Sequence, residues 1–559
     1  MKKTTPWWLP ESLRGYQKAW LTADLIAGLT LAAISIPECM GYTKIAGTPI
    51  VTGLYTILLP LAAFALLGSS RHLVVGADSA TAAILFAGLL GMAQPYSAQW
   101  LTLASVAALM TAVFLLLASA LRLGFLADFL SRTVLVGFLS GVGISLLAGQ
   151  LPDMLGVSAP GGNFLRHLGN TVRALPQTRL PTLGMSLAVL AIMLLAERFA
   201  RKVPGALLAV ILAIAATWLF GLDQHGIAVV GRVQPGLPTL RLPHATLAEA
   251  SRLLATSASM FLVIVAQSAA TGRSFAQKYN EPLSENRDLI ALGVANALAG
   301  VSGTFVVNGS PTKTAVVDSA GGRTQVAQLT TAAVVLAVLL FATTLIARLP
   351  NAALAALVFL IGAKLIDVRS LRQIYRFRKA TFAVAIAALL GVVFLGVERG
   401  IFFAVGLSIL DHLRQEYHPK DVVLTFPDGQ AKIIKAAAGL ETEPGLLVYR
   451  FQSPLFFANA DYFLARLQSL IESAPHPVKW LVLDMVSMND IDYTAGLTLA
   501  AALQQFERQG MTIAFAQAED VKTQLDLLGV SAQAGTASVY ETVPDAVAAF
   551  RQQTGVKTA

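Results

Sequence analysis

Four short polar clusters interrupt an otherwise apolar sequence, and each carries groups that can meet an ion. The first, Ile36-Pro37-Glu38-Cys39-Met40-Gly41-Tyr42, puts a proline and a carboxylate inside the first long apolar run. The second runs from Gly68-Ser69-Ser70-Arg71-His72 through β-branched Val74-Val75 to Gly76-Ala77-Asp78-Ser79-Ala80-Thr81. Asp78 or Ser79 suits a helix N-cap there, because a short side-chain oxygen can accept from the orphan amides of the first turn. The third, Val265 to Thr271, aligns Gln267 with Thr271 at i, i+4 and Ser268 with Thr271 at i, i+3, one face of a helix. Hydrogen bonding between neighbouring helices explains that face as well as a ligand does. In the fourth, Phe305-Val306-Val307-Asn308-Gly309 leads to Ser310-Pro311-Thr312-Lys313. Ser310 suits the N-cap, Pro311 the first turn, and Lys313 falls in that turn.

The second and fourth clusters are alike: extended chain, then the start of a short helix. An ordinary surface loop with a cap would read the same way. Set within apolar flanks, each instead describes a helix that begins in mid-membrane. The two lie roughly 230 residues apart, in corresponding places of two halves, the pattern of an inverted-repeat transporter whose broken helices meet at the substrate. Two facing helix N-termini offer N–H groups and positive dipole ends, and Lys313 adds a full charge, so the chemistry points to an anion.

The elements that must position these groups follow from composition. The chain has 559 residues, 55% apolar and only 13% charged, with mean hydropathy +0.65, whereas soluble domains carry about 25% charged residues. Residues 22 to 415 form one apolar run after another, near the roughly 20 residues that cross a bilayer as a helix. Leu101–Leu121, Leu183–Ala196, Val203–Leu219 and Leu329–Ile346 are clear cases, and about fourteen spans are expected. Basic residues cluster at the N-terminus and at Arg71, Arg122, Arg198/Arg201/Lys202, Arg273/Lys278/Arg287, Arg323 and Arg369 to Lys379. Arg166, Arg173, Arg232 and Arg241 are exceptions in longer segments. The positive-inside rule then places both termini in the cytoplasm. The start, with Lys2, Lys3, Trp7, Trp8 and Arg14, reads as an interface-lying lead-in over 1–20 rather than a cleaved signal. The net charge of +9 is thus a topology signal, and nucleic acid is not an expected partner. The single cysteine, Cys39, excludes an intrachain disulfide. No metal cluster, phosphate loop or nucleophile motif suggests an enzyme, and no cofactor is expected.

Beyond His412 to Lys420 the text becomes soluble α/β. Strands are expected at Val422–Phe426, Gly445–Phe451, Trp480–Asp484 and Met511–Phe515. Helices are expected at Asp461–Ser473, Thr494–Arg508, Val521–Leu528 and Val543–Thr554, implying a sheet with helices packed on it. The expected domains are a transporter domain over 1–415 and this domain over 421–555.

Asp24-Leu25-Ile26-Ala27-Gly28-Leu29-Thr30, Ile36-Pro37-Glu38 to Tyr42, Gly53-Leu54-Tyr55, Gly68-Ser69-Ser70-Arg71 and Asn296 to Gln325 resemble the SulP family of anion transporters. Pro454 to Ala460, Leu483-Asp484-Met485-Val486 and Ile491-Asp492-Tyr493-Thr494-Ala495-Gly496 resemble its C-terminal STAS domain. The resemblance covers nearly the whole chain. It implies fourteen spans in two inverted repeats of seven, core and gate domains, a homodimer, and elevator-type alternating access in a plasma membrane, the bacterial inner membrane for a prokaryote. It also implies substrate contacts at Tyr42, Ala77, Asp78, Ser79, Ala80, Ser310, Pro311, Thr312 and Lys313, in a site between the third and tenth spans.

Three positions depart from the family pattern. Glu38 stands where Gln is common, Gln267 where an acidic residue is common, and Lys313 where Arg is common. The acidic residue is tied to proton or cation coupling in several members. Glu38, with Asp78, is therefore the expected coupling group in place of Gln267, since an apolar surround favours a protonated carboxyl that can travel with the anion. Lysine keeps the charge of arginine but loses its two-pronged contact. In the STAS loop, Asp492 precedes Thr494, which is either a phosphate acceptor or an ordinary helix-start residue. The reading is a secondary transporter of sulfate, bicarbonate, chloride or a dicarboxylate. A proton or sodium ion is the candidate coupling ion, and a cytoplasmic regulatory protein is the candidate STAS partner. The alternatives are a nucleobase-type symporter of the same fold, against which the STAS domain argues, and an anion channel.

Overall fold

In the computed structural model the described residues are 16–122, 131–158, 164–199, 204–224, 226–231, 236–417, 419–427, 430–529 and 538–554. Lys2, Lys3, Trp7, Trp8, Arg14, Arg201, Lys202 and Arg232 lie outside them. Contacts divide the chain into two units, Met1–Ser408 and Ile409–Ala559.

The first unit is helical because its sequence is a series of apolar runs with no other way to satisfy backbone groups away from water. Its first half contains α1 (Leu21–Ala46), α2 (Ile50–Thr56), α3 (Leu59–Leu67), a two-residue strand β1 (Val75–Gly76), α4 (Ser79–Leu89), α5 (Ala98–Ala120), α6 (Arg132–Leu155), α7 (Phe164–Ala174), α8 (Leu180–Phe199) and α9 (Gly205–Phe220). The second half contains α10 (Leu247–Tyr279), α11 (Glu285–Val301), β2 (Asn308–Gly309), α12 (Pro311–Ser319), α13 (Val326–Phe341), α14 (Thr343–Ile346), α15 (Asn351–Leu365), α16 (Val368–Phe377), α17 (Lys379–Leu395) and the start of α18 (Val397–Tyr417), a helix that crosses the boundary after Ser408. Among the described residues, seven segments are long and apolar enough to cross a membrane by length and composition, and four apolar helices are shorter. With α11, the β2–α12 segment and α18 these make fourteen segments, two sets of seven.

The packing repeats between the sets. α1 lies on α13 as α5 lies on α10, and α5 on α11 as α3 on α13. α6 packs on α17 as α15 packs on α8, and α6 and α15 pack on each other. α1–α5 with α10–α13 thus form one bundle, and α6–α9 with α15–α18 another. Small residues set the closest crossings. A Cβ on Gly28 would come within 2.4 Å of the Ala327 carbonyl oxygen, and one on Gly53 within 2.2 Å of that of Cys39.

Two differences from the sequence reading have local causes. α1 runs unbroken through Pro37, which removes one backbone donor without ending a helix held by neighbours on several sides. The span expected over Leu329–Ile346 divides after Phe341, where α13 gives way to the one-turn α14.

The second unit is a six-stranded sheet in the order β4-β3-β5-β6-β7-β8. Its strands are β3 (Asp421–Thr425), β4 (Lys432–Lys435), β5 (Leu446–Phe451), β6 (Trp480–Asp484), β7 (Thr512–Ala516) and β8 (Val539–Tyr540). β5 to β8 are parallel, and β3 is antiparallel to both its neighbours. The helices are α19 (Ala460–Ser473), α20 (Tyr493–Arg508), α21 (Lys522–Leu527) and α22 (Val543–Thr554). Alternation along β5 sends Leu447, Tyr449 and Phe451 to the face under α19–α21, and Leu446 and Val448 to the face under α22. Burial, and next the Asp421 carboxylate, push the Tyr449 phenol well above its ordinary pKa. The edge strands β4 and β8 were not expected from sequence: β4 is mostly exposed, and β8 has two residues.

Candidate functional site

The two broken segments meet. β1 pairs antiparallel with β2, Val75 opposite Gly309 and Gly76 opposite Asn308, and the Ser310 amide donates to the Val74 carbonyl at 2.8 Å. So short a ribbon cannot hold itself, and buried side chains complete it. The Gln328 amide accepts from Val75 N at 3.1 Å and donates to Leu73 O at 2.7 Å. Thr314 Oγ1 accepts from Val74 N at 3.0 Å. Asn296 accepts from Val307 N and donates to Val307 O, both at 3.0 Å. Ser268 Oγ accepts from Gly309 N and donates to Asn308 Oδ1, both at 3.1 Å.

Carboxylates fasten the approaches. Asp288, in the first turn of α11, accepts from Ser69 N at 2.6 Å, Ser69 Oγ at 3.0 Å and Ser70 N at 3.1 Å. Asp24, in the first turn of α1, accepts from Arg323 N and Thr324 Oγ1, each at 2.6 Å. Together with the Lys278–Asp318 and Arg71–Glu281 ion pairs, these contacts gather the start of α1, the ends of α3 and α10 and the turn after α12 at one end of the bundle. Arg71, Lys278, Arg287 and Arg323 are all there. The opposite end is marked by Trp100 Nε1 donating to Ala46 O at 2.8 Å, Thr304 Oγ1 to Thr52 O at 2.6 Å and Val230 N to Leu349 O at 2.9 Å.

Both half-helices begin where the sequence placed them. Asp78 caps α4, accepting from Ala80 N at 3.0 Å and Thr81 N at 3.4 Å. Ser310 caps α12, accepting from Lys313 N at 3.4 Å, and its Oγ lies 3.2 Å from Thr312 Oγ1. Pro311 has no amide hydrogen to give. The caps therefore consume much of the donor set expected of two bare helix ends. Ser79 N and Thr312 N are the first-turn amides left with no intrahelical or capping acceptor. The site is lopsided: α4 carries its own negative cap, while α12 carries Lys313 and an exposed Thr312.

Lys313 is 2% exposed. Its Nζ donates to the Ala77 carbonyl at 2.6 Å and to Cys39 Sγ at 3.8 Å, and sits 4.9 Å from the centroid of the Tyr42 ring. No carboxylate among the described residues pairs with it. Tyr42 OH reaches Glu38 Oε2 at 3.4 Å, one turn back on α1. Gly76 is needed at this crossing, because a Cβ there would meet Ile57 Cγ2 at 2.9 Å. One cluster thus joins Glu38, Tyr42, Ala77, Asp78, Ser79, Ala80 and Ser310 to Lys313. Gln267 belongs to its rear wall, where its Oε1 accepts from Asn308 Nδ2 at 2.6 Å. Asn308, Gln328, Asn296 and Cys39 were missed as site residues; polar Asn308 inside an extended apolar stretch was the available signal.

In the second unit Asp492 caps α20, accepting from Ala495 N at 2.7 Å, and also accepts from Phe457 N at 2.6 Å. Thr494 is exposed in the first turn of α20. Among the described residues no cluster of His, Cys, Asp and Glu is placed to hold a metal.

Comparison with known proteins gives this arrangement a family. Residues 21–388 match the sulfate permease family and 437–546 the STAS domain. A probable sulfate transporter of Mycobacterium tuberculosis is 37% identical over 98% of this chain and 99% of its own. Probable sulfate transporter 3.3 of Arabidopsis thaliana is 30% identical over 89% of this chain and 82% of its own. The structure superimposes on murine solute carrier 26 family member A9, an anion transporter in the inward-facing state, with TM-score 0.87 and 23% identity, over 99% of this chain and 96% of that one. The transmembrane domain of a cyanobacterial bicarbonate transporter matches with TM-score 0.59 and 25% identity, over 70% of this chain and 98% of that one. The paired half-helices, the bundle around them and the C-terminal sheet are those of a helical multi-pass membrane protein with a STAS domain, and the chain belongs to the sulfate permease family.

Proposed function

We propose that this chain is a secondary active transporter of a small inorganic or carboxylate anion, of the sulfate, bicarbonate, chloride or dicarboxylate class. The observation that carries the reading is Lys313: a buried ammonium held between two half-helix starts with no carboxylate paired to it. Lys313 makes no direct ion pair, and Glu38 and Asp78 are the carboxylates within electrostatic reach of it; once they are neutralised the buried ammonium is left unbalanced, at a cost that an arriving anion offsets. Thr312 N, Thr312 Oγ1, Ser79 N and Lys313 Nζ are the donors for it. The names of the relatives agree with this class.

The coupling group proposed is Glu38, held by Tyr42 one turn away. A proton on Glu38 would reduce its repulsion of an anion at Lys313, so proton and anion would enter together. Asp78 faces the same point as the α4 cap, and its negative charge disfavours an anion in the same way until it is neutralised. Alternating access would come from the α1–α5/α10–α13 bundle moving against the α6–α9/α15–α18 bundle, in an elevator-type step within a homodimer. The charge pattern supports the Arg71–Arg323 end and both termini as cytoplasmic, and the STAS domain would be the docking point for a regulatory protein. Purified protein in liposomes, assayed with radiolabelled sulfate, bicarbonate, chloride and succinate under imposed proton and sodium gradients, tests the reading. Counterflow of one of these anions is expected. Flux that runs down its gradient without counterflow would identify a channel, and no flux of any of them would refute the anion reading.

A further inference from the structure

α16 joins two apolar helices of the α6–α9/α15–α18 bundle, α15 ending at Leu365 and α17 beginning at Lys379. Its ten residues reach about 15 Å as a helix, half of the roughly 30 Å of a bilayer core, and three of them are arginines. The chain turns at both ends. Ile366 is extended, Asp367 caps the first turn by accepting from Ser370 N at 2.9 Å, and Arg378 is extended again. α16 therefore runs along one end of the bundle rather than through it. At that same end α6 starts with Arg132, and Lys364 pairs with Glu197 of α8. Its charge is what the positive-inside rule expects of a cytoplasmic face, where the leaflet is anionic.

The helix has two unlike faces. It packs on α6 and α17, with the Tyr375 ring edge-on to that of Phe382 at 5.1 Å between centroids, and Leu371 and Ile374 are half-buried. Arg369, Arg372 and Arg376, spaced i, i+3 and i+7, share the other face and are exposed. Arg378 and Lys379 follow, also exposed. Residues 368–379 thus carry five basic side chains and no acidic one. Among the described residues none of the five is in an ion pair. Apolar groups border the basic face on both sides: Val368 is 66% exposed and Phe377 92%. Water suits the cations but not the bare ring. A headgroup layer suits both, since phosphates accept from the guanidinium forks and the ring reaches the acyl boundary.

We propose that α16 is a docking surface for anionic phospholipids, with headgroup phosphates along Arg369, Arg372 and Arg376 and Phe377 seated at the acyl boundary. A lipid held there fixes the joint between α15 and α17 in the leaflet. It so steadies the bundle against which the α1–α5/α10–α13 bundle moves. The lipid contact needs only the membrane-spanning fold, while its effect on flux rests on the transport reading.

Titration of the purified full-length protein with phosphatidylglycerol or phosphatidylcholine, with bound lipids counted by native mass spectrometry, tests it. Wild type should prefer phosphatidylglycerol. A basic residue near an anionic surface is worth about fivefold, so the triple variant Arg369→Gln, Arg372→Gln, Arg376→Gln should lose at least about tenfold of that preference. The corresponding triple lysine variant keeps the charge and should keep the preference. No preference in wild type, a preference that survives the glutamine triple, or one lost equally in the lysine triple overturns the surface. Wild type that ignores phosphatidylglycerol but binds poly-glutamate through the same arginines would make it a site for an acidic protein, and overturns the lipid reading. In liposomes, counterflow of radiolabelled sulfate should rise as phosphatidylglycerol replaces phosphatidylcholine for wild type and not for the glutamine triple. Flux indifferent to the lipid overturns the steadying role. Lipid preference without flux of any anion keeps this surface and refutes the transport reading instead.

Discussion

Gly309→Ala is the substitution whose consequences can be traced furthest. A Cβ at residue 309 would lie 2.7 Å from Ser268 Oγ and 3.0 Å from both Ser268 Cβ and Leu73 Cδ1. The near neighbours are the root of a helix side chain and a buried leucine, so little can give. Overpacking of this kind costs about 1–3 kcal/mol. Ser268 Oγ is also the acceptor for Gly309 N and the donor to Asn308 Oδ1. Pushing it aside strands a buried N–H, at about 1–3 kcal/mol. With partial relaxation the sum is about 2–4 kcal/mol. At the roughly 2–4 °C per kcal/mol of medium-sized domains, the apparent melting temperature should fall by about 4–16 °C. The ribbon carries the starts of both half-helices, so anion affinity should fall as well, by at least tenfold. Ser268→Gly removes the obstructing side chain. The double variant should therefore recover part of the loss, a favourable coupling of about 1–2 kcal/mol in a double-mutant cycle. Fluorescence-detected thermal unfolding and anion binding on the four proteins measure it. A silent Gly309→Ala, or a double variant that merely sums the two losses, would refute the claim that this contact sets the ribbon.

Glu38→Gln should abolish the pH dependence of anion uptake in liposomes while leaving binding at acidic pH close to wild type; an unchanged pH profile removes Glu38 as the coupling group. Asp288→Ala leaves Ser69 N and Ser70 N without their acceptor and should destabilise the protein by about 2–5 kcal/mol by the cost of stranded buried amides. A thermal shift under 2 °C would show that the loop before β1 is held by something else.

How much was legible in the sequence follows from the range of each interaction. The half-helix starts were readable because a cap and its helix are neighbours in the chain: Asp78 serves Ala80 and Thr81, and Ser310 serves Lys313. The same holds for Asp492 at α20. What fixes the ribbon was not readable. Gln328 serves Val75, and Asp288 serves Ser69, over separations of 253 and 219 residues, and a glutamine or aspartate in an apolar run carries no address for its partner. The same limit hid the cost of the caps. The sequence reading expects two helix N-termini that offer their amides to an anion, whereas the structure shows Asp78 and Ser310 occupying several of those amides and Lys313 bonded to the Ala77 carbonyl rather than standing free. Gln267 could be placed on a polar helix face but not against Asn308, so its part in the rear wall was invisible.

The central claim is that Lys313 supplies the charge that an anion answers. Counterflow of radiolabelled anion through wild type, Lys313→Ala and Lys313→Arg in liposomes, with size exclusion and thermal unfolding in parallel, tests it most directly. The account requires that Lys313→Ala lose counterflow and tight binding while remaining folded, and that Lys313→Arg retain transport with a shifted preference among oxyanions. A folded Lys313→Ala protein with wild-type half-saturation and flux would contradict it.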